Sequence, residues 1–282
     1  MGRAYFRGLS SALRNWRFAA LVFVIGLLCA LAFMACSWIW LASALDSSLA
    51  TRTLLTSLDA NVFIDLRRHH DDEFGLLVMV AAILAVGGGL LSIWVNAAVL
   101  AAVSGLHDTM SAAFRAGAAS YFQHLKLWLG SMTSYVAVGV VAFIAGKALT
   151  RAAAGSPDEL TYYWIIGGCA CAALAVAGVI ATVHDHARIR CVATNDTGGR
   201  AALWACGYVL RQRSPMALTL ALACTTIAVA ALYQLGADAM PANSGIGLSL
   251  SLVWAQLFMA VRSTLRVWSF AAATDLQATD IA

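Results

Sequence analysis

Six segments of this chain, at about 18–45, 74–104, 127–149, 162–183, 215–236 and 245–267, are apolar and nearly free of charge over the length of a bilayer crossing. A hydrocarbon core of about 30 Å is crossed by about 20 residues of helix, and only a backbone that closes its own hydrogen bonds survives there. The pattern predicts an all-α fold, a polytopic membrane helical bundle of about six transmembrane helices forming a single transmembrane domain over residues 1–282.

Composition agrees with lipid as the solvent. The chain is 61% hydrophobic and 11% charged, whereas a soluble domain is about half apolar and a quarter charged. Its formal charge of +4 is distributed as an orientation signal rather than as a nucleic-acid patch, so no nucleic-acid partner is expected. Arg3, Arg7, Arg14 and Arg17 precede the first apolar segment, which is too long for the core of a cleaved signal peptide and reads as a retained signal-anchor.

With six crossings, the N-terminus, the second and fourth connections and the C-terminus share one side. That side holds 13 of the Lys and Arg residues and the other holds 5, which makes the richer side cytoplasmic and puts both ends inside. The Ala-rich, Arg-over-Lys composition suggests a bacterial cytoplasmic (inner) membrane. None of the seven cysteines forms an evident pair in an outside loop, so free thiols are expected.

The connections carry helices of their own. In the first outside connection, 46–73, Leu55, Leu58, Val62, Phe63 and Leu66 recur at helical spacing, the pattern of an interfacial helix lying along the membrane. Inside, residues 107–123 place Ala113, Phe114, Gly117, Tyr121 and Leu125 on one face, and an amphipathic helix over 200–213 follows a breaker at 195–199. Residues 111–117 and 200–206 also align at an offset of 89, a candidate degenerate repeat of two hairpins.

Polar groups inside the spans are few. Asn96 and Gln256 are the strongest candidates to line a substrate path, with hydrogen bonding between helices as the alternative. Gly87, Gly88 and Gly89, in the middle of the second span, predict either a close helix contact or a broken helix that offers backbone carbonyls to a ligand. Gly167, Cys171, Ala175 and Gly178 make a second small-residue face.

At the inner mouth of the fourth span, Asp185 and Arg188 are three apart and can pair, while His184 and His186 face different directions. These residues and Arg190 are candidates for ion pairing or for lipid headgroups. His184, Asp185 and His186 are also the only acid-base groups an intramembrane lipid-modifying enzyme could use. The run at 69–73, His-His-Asp-Asp-Glu, holds metal-ligand types that diverge on a helix. No nucleophile elbow, zinc helix, phosphate loop or dinucleotide fingerprint is present, so no catalytic residue, cofactor or metal is expected.

Six spans with short inside helices between spans 2 and 3 and spans 4 and 5 resemble transport permeases that work with a separate cytoplasmic ATPase. The resemblance implies a non-enzymatic, permease-like or scaffold subunit that docks a cytoplasmic ATPase or another membrane subunit through Phe114, Tyr121 and Trp204, among membrane lipids. A self-contained small-molecule or lipid transporter and a lipid-modifying enzyme are the alternatives.

Overall fold

A computed structural model describes residues 1–45, 71–105, 109–153, 159–240 and 245–281, and among these the chain forms eight helices and no strand. They are α1 (Gly2–Arg14), α2 (Trp16–Leu45), α3 (Asp71–Val103), α4 (Met110–Ala152), α5 (Glu159–Thr194), α6 (Gly198–Arg211), α7 (Ser214–Asp238) and α8 (Gly245–Ile281). Five of them are long and apolar enough to cross a membrane: Trp16–Trp40, Phe74–Val103, Met110–Ala152, Leu160–Thr194 and Ser214–Asp238. The expected sixth span lies in α8, which is not among the five and carries Arg262, Arg266, Asp275 and Asp280. The expected interfacial helix falls almost wholly on 46–70, outside the described residues, as do His69 and His70.

Breaks between helices follow local chemistry. Asn15 ends α1, its backbone N–H and its side-chain amide both donating to the Ser11 carbonyl at 3.0 Å. Thr109 caps α4, accepting from the Ala112 amide at 3.3 Å. Asn195 takes φ 53° between α5 and α6, a left-handed conformation that asparagine adopts more readily than most side chains. Pro215 occupies the first turn of α7, where a missing N–H costs nothing.

Helix lengths correct two expectations. The inside helix at 107–123 is not a separate element, because α4 runs unbroken for 43 residues. At 1.5 Å per residue that is about 65 Å, roughly twice the hydrocarbon thickness. No proline lies between Gly117 and Gly130, and Ser120, a residue of capping type, instead returns its hydroxyl to the Ala116 carbonyl at 3.1 Å, so polar helix runs into span without a break. The helix expected over 200–213 is separate, but it begins at Gly198. A Cβ at Gly198 would lie 3.1 Å from the Gln123 carbonyl, and the Gly198 amide donates to Gln123 Oε1 at 2.9 Å. The first turn of α6 is therefore seated on α4, and the two aligned segments differ, one inside a long rod and the other a free-standing helix.

The chain divides into two compact units, Leu21–Ser92 and the remainder, Met1–Ala20 with Ile93–Ala282. In the first, Trp40 and Phe74 meet edge to face at 5.6 Å, and Gly88 would bring a Cβ 3.7 Å from Cys29 Sγ. The helix passes through Gly87, Gly88 and Gly89 without a break. That removes the broken-helix reading, and the contact at Gly88 is ordinary van der Waals distance with open space at Gly87.

In the larger unit, Ala4, Gly8 and Ala12 of α1, four apart, are buried against α8. A Cβ on Gly8 would come 2.6 Å from Ala272, so only glycine lets the backbones approach this far. Trp268 Nε1 donates to the Tyr5 carbonyl at 2.8 Å, and the Tyr5 hydroxyl meets Thr225 Oγ1 of α7 at 2.7 Å. A second core, of Leu127, Ala187, Cys191, Ala201 and Ala205, joins α4, α5 and α6.

Candidate functional site

Polar side chains in the larger unit collect along the C-terminal part of α5. Arg188 is buried, pairs with Asp185 at 3.7 Å and lies over the Phe270 ring at 5.2 Å. Arg266 approaches the same ring at 4.7 Å. The pairing of Asp185 with Arg188 expected from their spacing is present. Two guanidinium groups share one aromatic ring, which stabilises cations by its quadrupole.

On the other side of α5, His186 is buried and packs edge to face on Tyr208 at 5.1 Å, with Nδ1 3.4 Å from Gln277 Oε1. Tyr208 donates to Asp280 Oδ2 at 2.6 Å, and Ser214 donates to the same oxygen at 3.0 Å. Burial, and then the bond to Asp280, push the Tyr208 phenol above its ordinary value, so it stays a donor. One turn further along α5, Arg190 donates to Asp196 at 2.9 Å and covers the Trp204 ring at 4.7 Å, and Trp204 stacks on Tyr208 at 5.0 Å. The Arg190 bond holds the exposed Asp196 carboxyl below the usual aspartate value. The result is a continuous series of contacts, Asp196, Arg190, Trp204, Tyr208 and His186, that fastens α6 and the end of α8 to α5.

The docking candidates Phe114, Tyr121 and Trp204 are half-buried and partly engaged within the chain. Phe114 lies between Phe18 (6.1 Å) and Trp94 (5.0 Å), and its carbonyl accepts from Trp94 Nε1 at 3.3 Å. Trp204 is engaged by Arg190 and Tyr208. Tyr121 is half-buried beside Phe122. The apolar side chains left open are their neighbours: Leu203 is 78% exposed, Leu210 75% and Phe122 70%. The periodicity that marks a helix as amphipathic gives its stripe to within a residue, and here the inward stripe of α6 runs through Ala201, Ala205, Tyr208 and Val209.

His184, Asp185 and His186 do not converge. His184 lines a groove between α4, α5 and α6, Asp185 pairs with Arg188, and His186 turns to Gln277. The groove, of about 640 Å³, is lined by Leu127, Ser131, Val179, Ile180 and Val183, with Lys126, His184 and the first turn of α6 also at its wall. Asn96 and Gln256 are half-buried in the larger unit and the three glycines belong to the smaller one. The Gln256 Oε1 atom is buried without a hydrogen-bond partner among the described residues.

His124 was missed by the sequence reading. It is buried, its Nδ1 lies 3.0 Å from the Ser120 carbonyl of its own helix, and its Nε2 has no partner among the described residues. The signal was available, since residues 113, 117, 124, 127 and 131 form one buried helical stripe, but the polar side chain hid its membership. Among the described residues no three metal-ligand side chains gather, and all seven cysteines are free. The chain matches no protein-family model, no curated protein and no solved structure.

Proposed function

We propose that this chain is the membrane-embedded, non-enzymatic subunit of a transport complex, permease-like or scaffolding in role. It crosses a bacterial inner membrane six times with both ends in the cytoplasm, and it binds a cytoplasmic ATPase or another membrane subunit. One observation supports this reading above the others. In the most apolar 18-residue stretch of each of the five long helices, only 6% to 11% is buried, while other parts of the same helices, through Phe18, Ala97, Ala113, Ala187 and Leu218, are buried in the larger unit, which forms a packed platform. Helices that bury so little of their apolar surface on one another leave it for lipid or for the helices of a partner.

The excess of Lys and Arg on the platform's side supports a cytoplasmic setting for it. The docking face is then the exposed stripe of Leu203 and Leu210 on α6, which the internal packing of Trp204 leaves open. Affinity capture of the tagged chain from gently solubilised membranes tests the reading. The native chain is expected to bring down an ATPase or a second membrane subunit, and the double variant Leu203→Asp, Leu210→Asp is expected to lose it. Recovery of the chain by itself, or reporters at the two termini answering from opposite sides of the membrane, would sink the proposal.

A further inference from the structure

We infer that the groove between α4, α5 and the start of α6 seats one anionic glycerophospholipid, its phosphate at Lys126 and an acyl chain along Gly130, Val179 and Ile180. The inference rests on the six-span reading, which puts Lys126 and His184 at the headgroup level of the inner leaflet, the α6 residues of the groove on the cytoplasmic side, and Gly130, Ser134, Val179 and Ile180 deeper. At about 640 Å³ the groove has the volume of an ordinary ligand site. Its two ends differ in chemistry. Lys126 and His184 stand at one end, and no Asp or Glu lines the groove. Asp185, the carboxylate next to His184, is occupied by Arg188 at 3.7 Å.

The first turn of α6 adds donors at the same end. The Gly198 amide is used by Gln123 Oε1, but the Thr197 side chain caps nothing. The Gly199 amide at the groove wall therefore has no side-chain cap to compete with a phosphate oxygen. From Lys126 to Ser134 the wall rises about 12 Å along α4, and the aliphatic side chains Val179, Ile180 and Val183 of α5 face that length. A free anion would satisfy the cationic end and leave the walls bare; a neutral hydrocarbon would do the reverse. An amphiphile with an anionic head matches both.

Cys206 lines the same groove and is exposed, so it reports occupancy. In a variant with the other six cysteines changed to alanine, maleimide labelling of Cys206 is followed in nanodiscs. Discs of phosphatidylcholine are compared with discs that also contain phosphatidylglycerol. The anionic lipid is expected to slow labelling about fivefold, the change one lysine makes near an anionic surface.

Lys126→Gln is expected to erase that difference. Gly130→Leu is expected to protect Cys206 in both discs, because nothing lies within 4 Å of a Cβ there and the new side chain enters open groove without straining the helix. Equal rates in the two lipids, protection that survives Lys126→Gln, or equal protection by inorganic phosphate in phosphatidylcholine discs would each overturn the site. Labelling of Cys206 from outside intact cells by an impermeant maleimide would instead overturn the orientation, while the disc measurement decides the groove separately.

Discussion

Two stripes of small residues at the same spacing have opposite fates in this protein. On α1, Ala4, Gly8 and Ala12 are pressed against α8 so closely that a Cβ on Gly8 would lie 2.6 Å from Ala272. On α5, Gly167, Cys171 and Ala175 are exposed, and nothing lies within 4 Å of a Cβ on Gly167 or Gly178. Small residues permit helices to approach but do not make them do so. What α1 has in addition is a small facing residue, Ala272, and polar fasteners at Tyr5 that need one geometry. The bare stripe on α5 has neither, which suits a surface left to lipid or to another polypeptide.

The comparison breaks most readily through its glycines. Gly8→Leu is expected to cost about 3 kcal/mol, the upper part of the range for overpacking, and to lower the thermal midpoint in detergent. Trp268, which touches Tyr5, serves as the fluorescent reporter. Gly167→Leu is expected to change stability by less than about 0.5 kcal/mol, as for an exposed site. Equal losses in the two variants would mean that the α5 stripe is packed after all.

A smaller effect is expected where α6 is fastened to the end of α8. Asp280→Leu leaves the Tyr208 hydroxyl and Ser214 without their shared acceptor, at a cost of about 1 kcal/mol. Hydrogen exchange along α6 should rise about fivefold while exchange in α1 stays unchanged. Exchange that rises equally in both helices would show that the α1 contact and the α6 fastening are one cooperative unit rather than two.

The smallest effect belongs to the exposed turn between α5 and α6. The Asp196 carboxyl is held below its usual value by Arg190. It therefore contributes stability that is present above the unfolded-state aspartate value and is lost as pH falls through the lower, folded one. Proton chemical shifts of the turn should follow a single titration below the ordinary aspartate range, and Arg190→Gln should move it up. A titration at the ordinary value in the unmodified protein would show that the 2.9 Å contact is not maintained in solution.

Much of the fold was legible because lipid imposes a coarse rule. Long uncharged runs had to be helices, and five of them emerge as helices long and apolar enough to cross a membrane. The pairing of Asp185 with Arg188 was legible for a similar reason, since neighbours three apart on a helix meet whatever surrounds them. The platform was not legible. Phe114 and Trp204, read as outward anchors, are half-buried and make ring contacts within the chain, while His124, Gln277 and Asp280 were passed over. The contacts that fasten the end of α8 join residues far apart in the chain, 72 for Tyr208 with Asp280 and 91 for His186 with Gln277.

By itself, then, the order of residues determined that the chain is helical, suited to lipid, and asymmetric in its basic charge, because these follow from local hydrophobicity, periodicity and the distribution of Lys and Arg. Only the tertiary structure decided which glycines are contacts and which are open, which aromatic rings are spent internally, and where a groove with one cationic end is left between α4, α5 and α6. Those depend on which helix faces meet. A facing surface is set by shape and hydrogen bonds across the contact, and no periodicity within one helix encodes it.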